Sequence, residues 1–270
     1  EDNQLTSLDV SANTALTDLW CYSNQLTSLD VLNNTALTVL QFNSNLLTSV
    51  NVSNLTALTT LWCGDNPLTS VNVSNNTALQ ELRCHSNQLT TLDVSANTAL
   101  NVLSSDYNQL TSLDVSANTA LTELDCSHNQ LTYLNMKNGL TDQLTHFNAT
   151  GNSSLTCIET LDPDYATANW TLANDNIDAG VTFADICYAS NPSYTNVPDD
   201  NFEQALIDLG YDDTLDDYVL TANISGVTSL NVLYKEISDL TGIEEFTGVE
   251  NLDRDFNQLC SLNVSAETAL

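Results

Sequence analysis

Leu121-Thr122-Glu123-Leu124-Asp125-Cys126-Ser127-His128-Asn129-Gln130-Leu131 reads LxxLxCxxNxL, and the pattern returns, with substitutions, at a fixed 21-residue period back to the start of the chain. Asn3, Asn24, Asn45, Asn66, Asn87, Asn108 and Asn129 mark that period, as do Leu5, Leu26, Leu47, Leu68, Leu89, Leu110 and Leu131. Two further apolar series follow in each repeat, from Leu8 to Leu134 and from Val10 to Met136. A fixed period of this length means stacked coils, because one coil cannot bury its own apolar edge.

Each coil is expected to hold two short strands, one at LxxLxC and one at the SLDVS segment, with an Asn-containing bend after each. Asn24 and its equivalents should turn inward and bond the backbone of neighbouring coils, each bond contributing about 1 kcal/mol. Asn13, Asn34, Asn76, Asn97 and Asn118, a series broken only by Leu55, should do the same at the opposite bend.

Six consecutive coils of this form resemble a secreted bacterial leucine-rich-repeat protein, of the short-repeat type found in flavobacteria and related Bacteroidetes. Leu230-Asn231-Val232 and Ile237-Ser238-Asp239-Leu240-Thr241-Gly242-Ile243 are similar to the 22-residue internalin-like repeat, with Leu252 placed 22 positions after Leu230. The resemblance implies a mainly β leucine-rich-repeat solenoid with 21-residue coils, an irregular disulfide-bearing cap and one short capping helix. It also implies an extracellular protein, secreted or at the cell surface, that binds or adheres and does not catalyse.

The expected organisation is an array at 1–147, its C-terminal cap at 148–190, a linker at 191–196, a helical N-terminal cap of a second array at 197–229, and the start of that array at 230–270. The first cap closes the strand edges and core that a solenoid end leaves open. Pro198 to Gly210 has an acidic start, apolar residues at helical spacing and a terminal Gly, the signature of one amphipathic helix. Both chain ends fall within repeats, so Leu5, Leu8 and Val10 at one end and Leu262, Val264 and Leu270 at the other are expected to expose core. They belong either to a slice of a longer tandem protein or to ends that stack head-to-tail on other chains.

Four Lys plus Arg against 35 Asp plus Glu leave a formal charge of −31. Binding to phosphate backbones needs clustered cations, so nucleic acid is excluded as a partner, and a bare anionic membrane surface with it. No run approaches 18 apolar residues, so no membrane insertion is expected. Cys21, Cys63, Cys84 and Cys126 share one repeat position, where Phe42 and Ser105 substitute, and read as small buried apolar groups. Cys157 and Cys187 stand outside that row in the irregular cap and read as a disulfide, which places the protein in an oxidising compartment. Cys260 replaces a repeat Thr and reads as a free thiol.

Positions that repeat in every coil serve stacking, whereas positions that vary are free to serve a ligand. On the LxxLxC strand the varying outward residues include Trp20, Tyr22, Gln41, Trp62, Arg83, His85, Asp106 and Asp125. Trp20 and Trp62 fall at equivalent places two coils apart, about 10 Å, and suit stacking on a sugar ring or gripping a protein. These eight residues are the candidate ligand-binding set, for a protein or glycan. Asp212, Asp213, Asp216 and Asp217 are a candidate Ca²⁺ set through hard oxygen ligands, although EF-hand spacing is absent and a solvated acidic loop is the simpler reading. No other cofactor is expected. His85, His128 and His146 are the only histidines and no metalloprotease, serine-hydrolase or phosphate-loop motif is present, so no enzymatic activity is expected.

Overall fold

The structure is a computed structural model that describes residues 1–259. Cys260, Leu262, Val264 and Leu270 therefore lie outside the described residues. The chain divides into two compact units between Cys187 and Tyr188.

The first unit is a parallel β-solenoid. Its strands, in chain order, are β1 (Asp18–Trp20), β2 (Val39–Gln41), β3 (Thr60–Trp62), β4 (Glu81–Arg83), β5 (Val102–Ser104), β6 (Ser112–Asp114), β7 (Glu123–Asp125), β8 (Tyr133–Asn135), β9 (His146–Asn148), β10 (Cys157–Glu159) and β11 (Thr182–Ala184). The main sheet has the order β1-β2-β3-β4-β5-β7-β9 and a second sheet the order β11-β10-β8-β6. The main sheet is in register, so Leu19, Leu40, Leu61, Leu82, Leu103, Leu124 and Phe147 line up and point into the core. Each buried side chain of this size contributes roughly 1.5–3 kcal/mol, and the cluster continues without interruption from Val10 to Ile177.

The bends are held by asparagine amides. Asn87 accepts from Leu68 N at 3.0 Å and donates to the carbonyls of Cys63 and Cys84, at 3.2 and 3.0 Å, so one side chain joins two coils. Asn45, Asn66, Asn108 and Asn129 repeat this geometry. The residue before each of them is left-handed, with φ between 50 and 56° at Ser44, Asp65, Ser86, Tyr107 and His128. In the second series Asn34, Asn76, Asn97 and Asn118 donate backward to the preceding coil.

Two expectations are corrected. The SLDVS segment forms a regular strand only late in the array, as β6 and β8. Between those coils Val115 N reaches Asn135 O at 2.9 Å and Thr132 N reaches Thr111 O. In the five earlier coils no strand forms there, although Val31, Val52, Val73 and Val94 are still buried. Apolar packing and asparagine amide bonds join the early coils on that side, whereas backbone ladders join them on the other. The array also continues past residue 147. Phe147-Asn148-Ala149-Thr150-Gly151-Asn152 repeats the Leu124 to Asn129 pattern two positions later than the period requires. Asn152 nevertheless takes the ladder bonds to Leu131 N and Cys126 O, both at 3.1 Å.

The end of this stack is covered by helix α1 (Pro163–Asn169), N-capped by Asp162. Trp170 follows it and lies 4.4 Å from Phe147 and 5.8 Å from Phe183, ring to ring. The Cys157–Cys187 disulfide ties β10 to the last residue of the unit, with Cα atoms 5.8 Å apart. Cys21, Cys63, Cys84 and Cys126 are buried free thiols.

In the second unit β12 (Tyr194–Asn196) pairs antiparallel with β13 (Tyr218–Leu220), so the stretch expected as a linker contains a strand. Helix α2 (Asp200–Asp208) lies between them, and α3 (Thr221–Ile224) follows β13. Strands β14 (Ser229–Asn231) and β15 (Asn251–Asp253) pair in parallel across a 22-residue coil. Asn257 there makes the same ladder bonds, to Ile237 N and Val232 O. Asp199 joins helix to coil: one oxygen caps α2 through Asn201 N and Phe202 N, and the other accepts from Ser238 N, Ser238 Oγ and Asp239 N.

Candidate binding face

The register of the main sheet turns three positions of each coil into three outward rows. Trp20, Gln41, Trp62, Arg83, Ser104, Asp125 and Asn148 form the middle row, one residue per strand. Tyr22, Asn43, Gly64, His85, Asp106, Ser127 and Thr150 occupy the next outward place in each coil. All eight residues of the candidate ligand set are therefore placed along this one sheet. Adjacent strands stand about 4.8 Å apart, so neighbouring members of a row are within side-chain reach.

Trp20 is 53 % exposed. Trp62 is half-buried because the Arg83 guanidinium lies over its ring, 5.3 Å from the centroid. Arg83 is also bonded through Nε to Glu81 on the same strand. This cation–π contact means that one face of Trp62 is already occupied. Trp62 Nε1 and Asn43 Oδ1 are screened from solvent and have no hydrogen-bond partner among the described residues. Tyr22 donates its hydroxyl to Glu1 Oε2 at 2.8 Å.

His85 lies across Gly64 of the preceding coil, where an added Cβ would come within 2.6 Å of the imidazole. Its Nε2 is 3.5 Å from Asp65 Oδ2 and its Nδ1 is 3.3 Å from Ser104 Oγ. Ser104 donates its proton to Asp106 Oδ1 at 2.7 Å. With that proton directed at a carboxylate, His85 meets Ser104 as a donor and not as a general base, so this grouping is not a nucleophile arrangement. Asp125 Oδ1 accepts from Ser127 N at 3.0 Å, and Asp125 Oδ2 is 3.7 Å from His146 Nε2 on β9.

Two features of this unit were missed in the sequence. His146 and Asn148 extend the face by a seventh strand, hidden by the two-residue insertion before Phe147. The left-handed bend positions also project outward, and Tyr107 stacks on His128 with ring centroids 4.3 Å apart. The same position in the second unit stacks Tyr234 on Phe256, also at 4.3 Å. The only available signal was the residue preceding each repeat Asn. The opposite, SLDVS side carries shallow recesses of about 350 Å³ between coils, lined by repeat residues such as Thr91, Asp93, Ser112 and Asp114. Their repeated composition makes them a by-product of the period.

The buried thiols have no place in this chemistry. Burial pushes Cys21 up to about 11 and Cys84 up to about 12, and raises Cys63 and Cys126 as well. A thiol held protonated is a poor nucleophile and a poor ligand.

The four aspartates of the candidate Ca²⁺ set lie in a loop whose simpler reading is a solvated acidic one. Among the described residues no group of three or more acidic, histidine or cysteine side chains could hold a metal ion. The loop is instead organised around Glu203 of α2, which is fully buried and accepts from Asp216 N at 2.8 Å and Tyr218 N at 3.1 Å. Asp213 accepts from Thr214, and Asp216 Oδ1 accepts from Tyr218 N. Of the residues expected at the open ends, Leu5 is exposed, Leu8 is partly buried and Val10 is buried. No helix among the described residues is long and apolar enough to cross a membrane.

No family model matches the sequence, and no curated protein matches it. Among solved structures the chain is similar to the functional domain of InlJ from Listeria monocytogenes, described as including a cysteine ladder. The identity is 29 % and the TM-score 0.55, over 99 % of this chain and 60 % of that one. It is similar to internalin C2 from Listeria monocytogenes at 23 % identity and TM-score 0.53, over 68 % of this chain and 78 % of that one. It is also similar to the ectodomain of the Arabidopsis thaliana receptor kinase GASSHO1/SCHENGEN3, solved in complex with CASPARIAN STRIP INTEGRITY FACTOR 2. There the identity is 25 % and the TM-score 0.52, over 65 % of this chain and 22 % of that one. The fold is a leucine-rich-repeat solenoid with internalin-like neighbours. The chain spans less than two thirds of the first and third of these proteins.

Proposed function

We propose that the chain is a recognition or adhesion module of a secreted or cell-surface bacterial protein, and that the outward face of its main sheet binds a protein or glycan ligand. The observation that carries this reading is where the coils differ. The inward residues and both asparagine series repeat, whereas the three rows on the main sheet change from coil to coil. That variation places Trp20, Tyr22, Gln41, Trp62, Arg83 and His85 side by side. Exposed aromatic groups beside amides and an Arg are the residue types that dominate binding surfaces. The receptor ectodomain solved with a bound factor supports binding by this fold, and the cap disulfide supports an oxidising, extracellular setting.

The test is a Trp20→Ala/Trp62→Ala double variant. Ligands are first identified on glycan and surface-protein arrays with the intact chain. The variant should bind them at least tenfold more weakly, the loss expected for an aromatic anchor, while its melting temperature stays within about 3 °C. Undiminished binding would remove this face from consideration.

A further inference from the structure

We infer that the ligand of this face is a polypeptide segment rich in Lys or Arg, laid in extended form across the coils. The inference rests on the recognition reading above and narrows it to one ligand class.

The face is divided electrically. Over β1 to β3 the three rows hold Asp18, Trp20, Tyr22, Val39, Gln41, Asn43, Thr60, Trp62 and Gly64, with Asp18 the single charge. Over β4, β5 and β7 they hold Glu81, Asp106, Glu123 and Asp125, with Arg83 paired to Glu81. The Arg and the Lys of this unit are both engaged: Arg83 pairs with Glu81 on this face and lies over the Trp62 ring, and Lys137, away from it, donates to Asp185 O, with Glu159 at 3.5 Å. Glu123 and Asp125 project from the same face of one strand, and Asp106 lies in the adjacent coil. The equivalent positions carry uncharged residues in several other coils, such as Val39, Thr60 and Val102 for Glu123, so stacking does not require carboxylates there.

A ligand that covers this half must bring positive charge to Asp106, Glu123 and Asp125, or it buries carboxylates that no Lys or Arg among the described residues offsets. A neutral glycan brings none. A polypeptide with Lys or Arg brings several at strand-like spacing, and its apolar or aromatic residues can meet Trp20 over the half with the single charge Asp18. Seven strands about 4.8 Å apart span roughly 29 Å, the reach of about nine extended residues. The geometry therefore fits one continuous segment whose cationic part lies over β4, β5 and β7.

The test pans a phage library of random dodecapeptides against the intact chain at about 0.15 M salt, where surface charges are screened beyond roughly 8 Å. Selected peptides should be enriched in Lys and Arg over the unselected library. They should bind the Glu123→Gln/Asp125→Asn variant at least tenfold more weakly. An Asp93→Asn/Asp114→Asn variant, altered only on the SLDVS side, should bind them as the unmodified chain does. Selected peptides without cation enrichment, equal weakening by both double variants, or failure to select any peptide would each overturn the inference. If Trp20→Ala/Trp62→Ala weakens the selected peptides and Glu123→Gln/Asp125→Asn does not, the binding face stands and the cationic class falls. If neither variant weakens them, both fall.

Discussion

At the scale of single residues, the fold depends on what an asparagine amide can do at a bend. Asn87 has a donor and an acceptor on one short side chain, so it pairs Leu68 N with its oxygen and the carbonyls of Cys63, Cys84 and His85 with its nitrogen. Asp would keep only the acceptor, and an aliphatic residue would keep neither. Asn87→Ala leaves a buried N–H and several carbonyls short of a partner, each costing about 1–3 kcal/mol. Chemical denaturation should therefore report a loss of about 3 kcal/mol or more. The second series is weaker by the same logic. Oδ1 of Asn34, Asn76, Asn97 and Asn118 has no partner among the described residues, so only half of each amide is used. Val31 O and Asn34 O, which an Asn at position 55 would reach, already accept from Asn34 N and Leu37 N. That is why buried Leu55 is tolerated where the series expects Asn.

At the scale of one element, α2 shows opposed electrostatics. Burial works against the Asp199 carboxylate, but hydrogen bonds from Ser238, Phe202 and Asp239 outweigh it and hold that carboxyl below its ordinary value of 3.8. Burial pushes Glu203 above its ordinary 4.5, opposed by its two backbone donors and reinforced by Asp212 and Asp216. Asp212 is raised too, chiefly by burial. Oε2 of Glu203 and Oδ2 of Asp212 are screened from solvent without partners among the described residues. The stability contributed by Asp199 is present above pH 3.8 and lost as pH falls through its lower folded value. The contribution of Glu203 has the other sign, being fully present below pH 4.5 and lost as pH rises through its higher folded value. Hydrogen exchange of residues 200–208, corrected for the intrinsic rate, should therefore show protection decreasing from pH 4.5 upward. Glu203→Gln keeps an acceptor for Asp216 N and Tyr218 N but removes the buried charge, so it should flatten that decrease. Glu203→Ala should instead lower protection at every pH.

At the scale of the molecule, a solenoid holds together coil by coil, so its ends decide how far it stays folded. The first unit ends with α1, Trp170 and the Cys157–Cys187 bond. That bond closes a sequence separation of 30 residues, for which loop entropy alone predicts about 3–4 kcal/mol. Cys157→Ser/Cys187→Ser should lose about that much. Exchange should rise first at β10 and β11, with solvent reaching the buried Trp170 ring before the core beneath Trp20 opens. An equal rise in exchange across all coils would contradict this order.

The sequence by itself determined whatever repeats. Identical inward residues at a fixed period specify the coil, the main-sheet register and the two amide series, because each coil buries its apolar edge only against a copy of itself. The helix after Pro198 and the cap disulfide were legible for local reasons, from capping residues and from cysteines standing outside the row. The tertiary structure decided what repetition leaves open. The seventh coil was hidden because two inserted residues broke the period while Asn152 still reached the ladder. The SLDVS segments form a regular strand at β6 and β8 and not in the five earlier coils, a difference their shared side-chain pattern does not encode. Which varying residues touch was likewise invisible in the chain. Arg83 meets Trp62 and His85 crosses Gly64 from positions a full coil apart, and only the stacking of successive coils brings them within contact distance.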